Sequence, residues 1–365
     1  MFKYPKGSIW RKWDLHFHTP SSFDYQDKFV SNEQLIQKLK DNEIRTVAIT
    51  DHHVIDVERI NALNQLAKDD ITILPGIEFR SELGGSESIH YIGIFPENAD
   101  INTIWTKLQG QLNLTASDIK KVGHENVRVD LMDTSKLIHE LGGLISIHAG
   151  TKSNSLENIT NALSHKQAQK TEICGAIDIY EIGKTEDMQG YKEKVFPVIK
   201  LEKPLVICSD NHNINNYSLK ANCWIKADPT FEGLRQIIYE PSRVYIGDEP
   251  SAKVENSKVI KSISIRNSNG WFEEKELQLN SNLVSIIGGR GTGKTALLDL
   301  ITITANKDWE EITENDDSFL KKAEGHFPKL GLSLKWEDEE EDLVELNQIE
   351  RISWDDGDDP NKKVV

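Results

Sequence analysis

Residues 13–24 read W-D-L-H-F-H-T-P-S-S-F-D. Trp13, Leu15 and Phe17 alternate with Asp14, His16 and His18, so on an extended strand both imidazoles leave one face while the apolar residues pack on the other. Two histidines placed this way can share one metal ion. The segment Thr19-Pro20-Ser21-Ser22 stops the strand, because proline cannot donate to a ladder and short hydroxyl residues favour turns, and Asp24 follows just past that stop. In a chain with 11 histidines a lone H-x-H triplet is weak evidence. It gains weight because His52, Glu78, His90, His148, Asp210 and His212 lie at the ends of later strand-like runs. Any one of them could be a core residue bonded to backbone, but burying the whole set at one place is costly without a compensating positive charge. Nine histidine and carboxylate donors exceed what one ion needs. Their mixed nitrogen and oxygen character suits zinc, manganese or iron better than magnesium or calcium, and two or three ions are expected.

A second stretch carries chemistry of a different kind. Gly288-Gly-Arg290-Gly291-Thr292-Gly293-Lys294-Thr295 is a complete G-x-x-x-x-G-K-T. It follows the apolar run Leu283–Ile287, read as a strand, and precedes Ala296–Ile301, read as a helix. In that setting backbone N–H groups and the helix N-terminus cradle phosphates, Lys294 reaches the β and γ groups, and Thr295 binds magnesium, so ATP with Mg is the expected ligand.

The elements that must position the first set alternate along residues 1–250. Ser31 caps a helix through Leu35, Ile36 and Leu39, and Thr46–Thr50 is a buried strand ending in Asp51-His52-His53. A helix over Ile60, Leu63 and Leu66 follows, then a strand Ile71–Leu74 leading into Pro75-Gly76-Ile77-Glu78, and a strand Ile89–Phe95 that carries His90. Further on, Leu137–Leu141 reads as helix, Leu144–His148 as strand, Leu156–Leu163 as helix, and Ile177–Ile182 and Leu205–Ser209 as strands. Such units with continuous apolar strands predict parallel pairing, and about seven of them favour a closed α/β barrel whose chemistry sits at the C-terminal ends of the strands. Asp228-Pro229 opens one more helix, with Leu234, Ile237 and Ile238 on its face and Pro241 ending it. The polar, proline-bearing stretch from Asp248 places a domain boundary near residue 250. Beyond it, Ile260–Ile265 with Glu273–Leu279, and Leu330–Trp336 with Leu343–Trp354, read as hairpins; the acidic run Glu337–Asp342 is read as a solvated turn.

Length and composition agree with two ordinary domains. The chain has 365 residues, 38% hydrophobic and 28% charged. No long apolar run and no signal-peptide pattern is present, so a cytoplasmic protein without membrane contact is expected. Cys174, Cys208 and Cys223 are widely spaced, which suits reduced thiols rather than a disulfide framework. The net charge is −16, of which residues 308–365 carry −12. An acidic surface argues against broad, sequence-independent DNA binding but leaves room for nucleic acid in one metal-lined pocket.

The motifs D-L-H-F-H-T-P, I-T-D-H, P-G-I-E, S-I-H-Y-I-G, I-S-I-H-A and C-S-D-N-H, in that order across residues 10–250, resemble the polymerase and histidinol phosphatase (PHP) superfamily. The resemblance implies a distorted (β/α)7 barrel with a trinuclear site that hydrolyses phosphoesters. Carried over, His16, His18 and Asp210 bind the first metal; Glu78 bridges it to a second held by His90 and His148; Asp24, His52 and His212 bind the third. His53 has no counterpart among these ligands and is read as a neighbour within reach of substrate, the alternative being a packed loop histidine. Arg80 lies two residues beyond Glu78 and shares its face, placed to grip a phosphate oxygen or to form a surface salt bridge. Glu181 and Lys184 are weaker candidates of the same kind.

Residues 251–365 resemble the first lobe of an ABC/SMC-type ATPase, without the Walker B strand or the signature loop, and are too few for a whole head. The expectation is that the chain is the front part of a longer protein. A PHP barrel followed by this lobe, with F-E-G-L-R-Q-I-I-Y-E-P before the linker, is similar to the TrlF-family PHP-ATPases. That resemblance implies a setting in nucleic-acid repair or anti-phage defence, a homodimer or larger assembly through the ATPase lobe, and a partner protein. Three readings follow: a metal-dependent nuclease governed by an ATPase; a hydrolase of small phosphate monoesters or nucleotides with the lobe as sensor; or a barrel that only supports a DNA-binding ATPase. Retention of every ligand position favours the first two.

Overall fold

The computed structural model describes residues 6–84, 88–159, 164–250, 258–306, 329–338 and 340–345. The chain divides into two compact units, Ser8–Pro250 and Ser251–Val365 together with Met1–Gly7.

The larger unit is built on nine strands: β1 (Trp10–Phe17), β2 (Ile44–Ile49), β3 (Thr72–Ser81), β4 (Ile89–Ile94), β5 (Leu144–Ala149), β6 (Ile179–Ile182), β7 (Leu205–Val206), β8 (Cys223–Lys226) and β9 (Val244–Ile246). They form one sheet in the order β7-β6-β5-β4-β3-β2-β1-β8-β9. The chain just past β7 then returns to β1: Asn211 bridges Phe17 in parallel, the His18 N–H donates to the Asn211 carbonyl at 3.3 Å, and the Asp210 N–H donates to the His16 carbonyl at 3.0 Å. The first seven strands are thereby nearly closed on themselves, a mixed α/β architecture consistent with a distorted barrel.

Helices cover the outside: α1 (Asn32–Asp41), α2 (Val57–Ala67), α3 (Ile101–Leu112), α4 (Ala116–Val122), α5 (Leu131–Glu140), α6 (Ser164–Ala176), the short α7 (Asp187–Gly190) and α8 (Phe196–Ile199), and α9 (Phe231–Tyr239). Their starts are set locally. Ser31 and Gln34 form a reciprocal capping box on α1, and Asp56, Asp100, Asp130 and Thr230 cap α2, α3, α5 and α9. Trp13, Leu15 and Phe17 of β1 are all buried in the core they share with Leu35, Leu39 and Leu63 of the helices.

Several sequence expectations are corrected. Pairing is not parallel throughout, because β4 runs antiparallel to both β3 and β5. Only residues 82–88 link β3 to β4, too short for a crossover helix, so the pair must be antiparallel. The β4–β5 connection is long and instead holds α3, α4 and α5, of which α3 and α4 were not anticipated. Around Leu156 there is a single 3-10 turn, Leu156–Asn158; residues 160–163 lie outside the described residues, and the helix here is α6. Strand β7 stops at Val206 rather than Ser209, since the following backbone leaves β6 to bond with Asp14 and His16. Thr230, not Asp228, caps α9.

In the smaller unit β10 (Ile260–Arg266), β11 (Glu276–Gln278), β12 (Gly331–Trp336) and β13 (Glu341–Glu345) form an antiparallel sheet in the order β11-β10-β12-β13. Helix α10 (Lys294–Asn306) packs Leu300 and Ile303 into a core with Ile263, Leu332 and Trp336. The acidic run turns and then enters β13 at Glu341; residues 346–354, expected to continue that arm, lie outside the described residues. Leu283–Ile287 forms no strand: Leu283 is 79% and Ile287 89% exposed, and no described strand lies alongside to supply a ladder. No helix among the described residues is long and apolar enough to cross a membrane, and Cys174, Cys208 and Cys223 are buried free thiols.

Gly76 lies in β3, two residues before Glu78. A Cβ there would stand 2.9 Å from the Ile49 carbonyl and 3.0 Å from that of Gly93, both backbone atoms of neighbouring strands. Gly76→Ala is therefore expected to lose ~1–3 kcal/mol of stability. Urea unfolding followed by circular dichroism measures it, and an unchanged midpoint would show that the strands can separate without strain.

Candidate metal centre

Each strand end delivers its residues to one point. β1 carries His16 and, just past its end, His18; the chain beyond β2 carries His52; β3 carries Glu78; β5 carries His148; the chain beyond β7 carries Asp210 and His212. His90 is the exception, since it sits at the start of β4. Because β4 is reversed, its beginning lies where the other strands finish, opposite Arg80 and diagonal to Glu78.

The structure brings together all nine donors singled out from sequence. The Nε2 atoms of His16 and His18 face each other at 2.9 Å and lie 3.2 and 3.1 Å from Glu78 Oε2. Asp210 Oδ1 is 3.4 Å from His16 Nε2 and 3.5 Å from His18 Nε2. Glu78 also reaches His90 Nδ1 at 2.6 Å through Oε1 and His52 Nε2 at 3.3 Å through Oε2. Asp24 Oδ2 is 3.2 Å from His52 Nε2 and 3.3 Å from His212 Nε2. Four overlapping groups have donor atoms within 4.8 Å of one another: His18, His52 and His212; His16, His148 and Glu181; His16, His18 and Asp210; and His52, Glu78 and His90.

Hydrogen bonds on the far side of the rings fix which nitrogen points inward. His148 Nδ1 donates to the Ser153 carbonyl at 2.9 Å, which leaves Nε2 an unprotonated acceptor. That Nε2 is buried without a hydrogen-bond partner and stands 3.7 Å from both Glu78 Oε1 and Glu181 Oε2. A bare lone pair facing two carboxylates is unfavourable unless a cation lies among them, and the donor set therefore fits divalent metal. His16 Nδ1 is held by Glu181 Oε2 at 2.9 Å and His212 Nδ1 by the Asp210 carbonyl at 3.1 Å, so both present Nε2 to the cluster.

Electrostatics give the same picture. Burial pulls His16 and His18 down, but the surrounding carboxylates outweigh it: Glu181, Asp210 and Glu78 hold His16 well above its ordinary value, and Asp210 with Glu78 lift His18 to about 9. Glu78 is pushed well below the carboxylate range by His52, His16 and His90 despite its burial. His52 falls to about 4 and His148 to about 3, chiefly through burial, so both are neutral imidazoles at physiological pH. Beneath the cluster Asp51, bonded by the Thr19 N–H and hydroxyl at 2.7 Å each, is raised to about 6 by burial.

The remaining candidates divide. Arg80 is largely buried at the rim, its Nη2 3.5 Å from His52 Nε2 and 3.9 Å from Asp24 Oδ2, with the guanidinium 5.2 Å above the Phe23 ring. His53 is fully buried at φ +57°, its N–H bonded to the Glu78 carbonyl, and neither ring nitrogen has a hydrogen-bond partner. Glu181 lies inside the cluster rather than at a phosphate-gripping edge, and Lys184 is exposed.

One residue escaped the sequence reading. Lys152, 3% exposed in its side chain, lies 2.7 Å from Glu181 Oε1 and 2.9 Å from Asp210 Oδ2. The available signal was its place in the loop that follows the strand-end His148, as His18, His52 and Asp210 lie just past β1, β2 and β7. Its ammonium balances two carboxylates in a poorly solvated place, and burial, which disfavours the charged amine, is outweighed by them. Lys152→Met is expected to cost about 3–5 kcal/mol in metal-stripped protein, because it leaves those carboxylates without their cation. Saturating zinc should restore much of the loss; urea midpoints with and without zinc measure both, and an undiminished midpoint in the stripped variant would show that the ammonium is dispensable.

No protein-family model and no curated protein matches the sequence. Among solved structures, a candidate metal-dependent phosphoesterase from Bifidobacterium adolescentis aligns over 63% of this chain and 96% of its own at 13% identity and TM-score 0.42. A two-domain protein containing a PHP-like metal-dependent phosphoesterase from Bacteroides vulgatus aligns over 75% and 84% at 14% identity and TM-score 0.44. The lesion-specific endonuclease PfuEndoQ from Pyrococcus furiosus aligns over 70% and 62% at 17% identity and TM-score 0.47.

Proposed function

We propose that the chain is a metal-dependent phosphodiesterase of PHP type that cleaves nucleic acid, with a nucleotide-binding lobe that governs it. The observation that carries the first part is the inward-facing, proton-poor Nε2 of His148 among the carboxylates and imidazoles of one strand-end cluster. His16, His18 and Asp210 would hold one ion, Glu78 with His90 and His148 a second, and Asp24 with His52 and His212 a third. Divalent ions there supply Lewis acidity toward water and a phosphoester.

The protein's own groups prepare that site. Glu181 and the Ser153 carbonyl lock the rings of His16 and His148, and Lys152 keeps Asp210 and Glu181 charged and oriented. Arg80, stacked on Phe23 at the rim, is placed to take a phosphate oxygen. Because the chain is acidic, phosphate recognition must be concentrated in this pocket rather than spread over a basic surface.

The second part rests on the G-x-x-x-x-G-K-T loop. Gly291 and Gly293 adopt φ of +80° and +90°, which turns the loop into the N-terminus of α10, and a side chain at Gly293 would meet Phe272 at 3.0 Å. Lys294 Nζ rests on the carbonyls of Gly288 and Gly289 at 2.9 and 2.6 Å, and Arg290 and Thr295 are exposed to solvent. ATP with magnesium is the ligand this geometry suits, the loop amides and α10 N-terminus facing its phosphates.

The full chain with manganese, offered labelled single-stranded DNA, duplex DNA, RNA and free nucleotides, tests the reading. Cleavage of nucleotides alone would sink the nuclease assignment in favour of small-molecule hydrolysis. Replacing His16 and His18 together with alanine is expected to reduce cleavage more than about 100-fold while ATP binding, measured by calorimetry, persists. Lys294→Ala should abolish ATP binding and spare the metal content of the barrel; loss of both properties in either variant would show that the two sites are not separate.

A further inference from the structure

A cavity of 670 Å³ opens beside the cluster and shares His52 with it. Its other walls come from His53 and from the helices inserted between β4 and β5: Trp105 of α3, Leu114, Ile119 of α4 and His124. The volume falls in the range of small-molecule sites. Its lining is mainly apolar by area and includes Trp105 and the imidazoles of His52, His53 and His124. The His124 ring also stacks on Phe23, which lies outside the lining, with centroids 5.2 Å apart and planes 22° apart, and Phe23 lies 5.5 Å from the His52 ring and beneath Arg80. A column of π-faces thus runs from the rim of the cluster to the cavity.

Such walls suit a flat, weakly polar ring system rather than a phosphate or a sugar. Gln109 and Lys120 add polar groups to the same lining. An aliphatic chain offers them nothing, whereas a heterocycle with ring nitrogens and carbonyl groups can hydrogen-bond to them. We propose that this cavity is a base subsite, which receives the purine or pyrimidine of the nucleotide whose phosphate lies at the histidine–carboxylate cluster. The assignment rests on the phosphodiesterase reading for the position of the phosphate, and it names what confers specificity there.

The test uses the full chain carrying Lys294→Ala, so that the phosphate-binding loop does not contribute, with saturating manganese. Calorimetry compares deoxyadenosine 5′-monophosphate and thymidine 5′-monophosphate with ribose 5-phosphate, which lacks a base. Both nucleotides are expected to bind at least about tenfold more tightly than ribose 5-phosphate. Ala116→Trp, at an exposed position that lines the cavity, fills it without crowding the core, and Trp105→Ala removes an aromatic wall. Each should collapse the nucleotide preference to within about twofold, with thermal unfolding confirming that the variants fold. Nucleotides binding no more tightly than ribose 5-phosphate, or a preference that survives both substitutions, would overturn the proposal. Hydrolysis of bis(p-nitrophenyl) phosphate is measured in parallel: its absence alongside a base-dependent affinity would refute the phosphodiesterase reading and leave the subsite standing.

Discussion

Buried charge is the constraint on which the larger unit depends. Six imidazoles and four carboxylates share one end of the barrel, and most are almost wholly removed from water. Carboxylates in such a place need positive partners within a few ångströms. In the structure these come from Lys152 and, when protonated, from His16 and His18, whose pKa values the same carboxylates raise. Those protons are an imperfect answer. They cannot satisfy His148 Nε2, whose own proton is committed on the other side of the ring, and they leave two imidazole nitrogens 2.9 Å apart. A divalent ion accepts several lone pairs at once, so metal binding would release protons from His16 and His18 and satisfy the same atoms better.

Topology decides who can reach that point. In parallel strands the convergent ends are C-terminal, which is why His16 and His148 are next to last in their strands and His18, His52, Asp210 and His212 lie past theirs. Glu78 and His90 arrive differently, through a hairpin whose two strands bring them diagonally together across the ladder. The reversed strand also frees the long β4–β5 connection to carry α3 and α4, and these build the wall facing the cluster. One short linker thus has two consequences: it supplies a donor from the wrong end of a strand, and it places an insertion beside the cluster.

Most of the barrel was legible because its strands are continuous apolar runs and its helices carry capping residues at their starts. The donor set was legible because histidine and carboxylate are rare at strand ends unless they do something. The reversal of β4 was signalled too: His90 is the second residue of its strand, whereas His16 and His148 are next to last in theirs and His18, His52, Asp210 and His212 come after the last. Lys152 and the inward place of Glu181 were not legible, since a lysine in a Gly-Thr-Lys-Ser loop and a glutamate in a strand look like solvated residues until the third dimension brings them to one carboxylate cluster. Helices α3 and α4 were also missed. In α4 only Ile119 is buried, so the sequence shows little stripe there, whereas α3 does carry Ile101, Ile104 and Leu108 at helical spacing behind its Asp100 cap.

The smaller unit shows the limit of local reading. Leu283–Ile287 has the composition of a buried strand and leads into a loop with the spacing of a phosphate cradle, yet it is exposed and outside any strand. A strand is defined by its ladder, and composition alone cannot supply the neighbour that completes one. The loop itself is less demanding, because its shape follows from glycines at positive φ and from the helix that begins at Lys294, all of which are local. Lys294 meanwhile bonds to the loop's own carbonyls, a place it must leave to meet a phosphate. The shape of the loop is therefore encoded within its eight residues, whereas the strand expected before it depends on contacts the sequence of that segment does not contain.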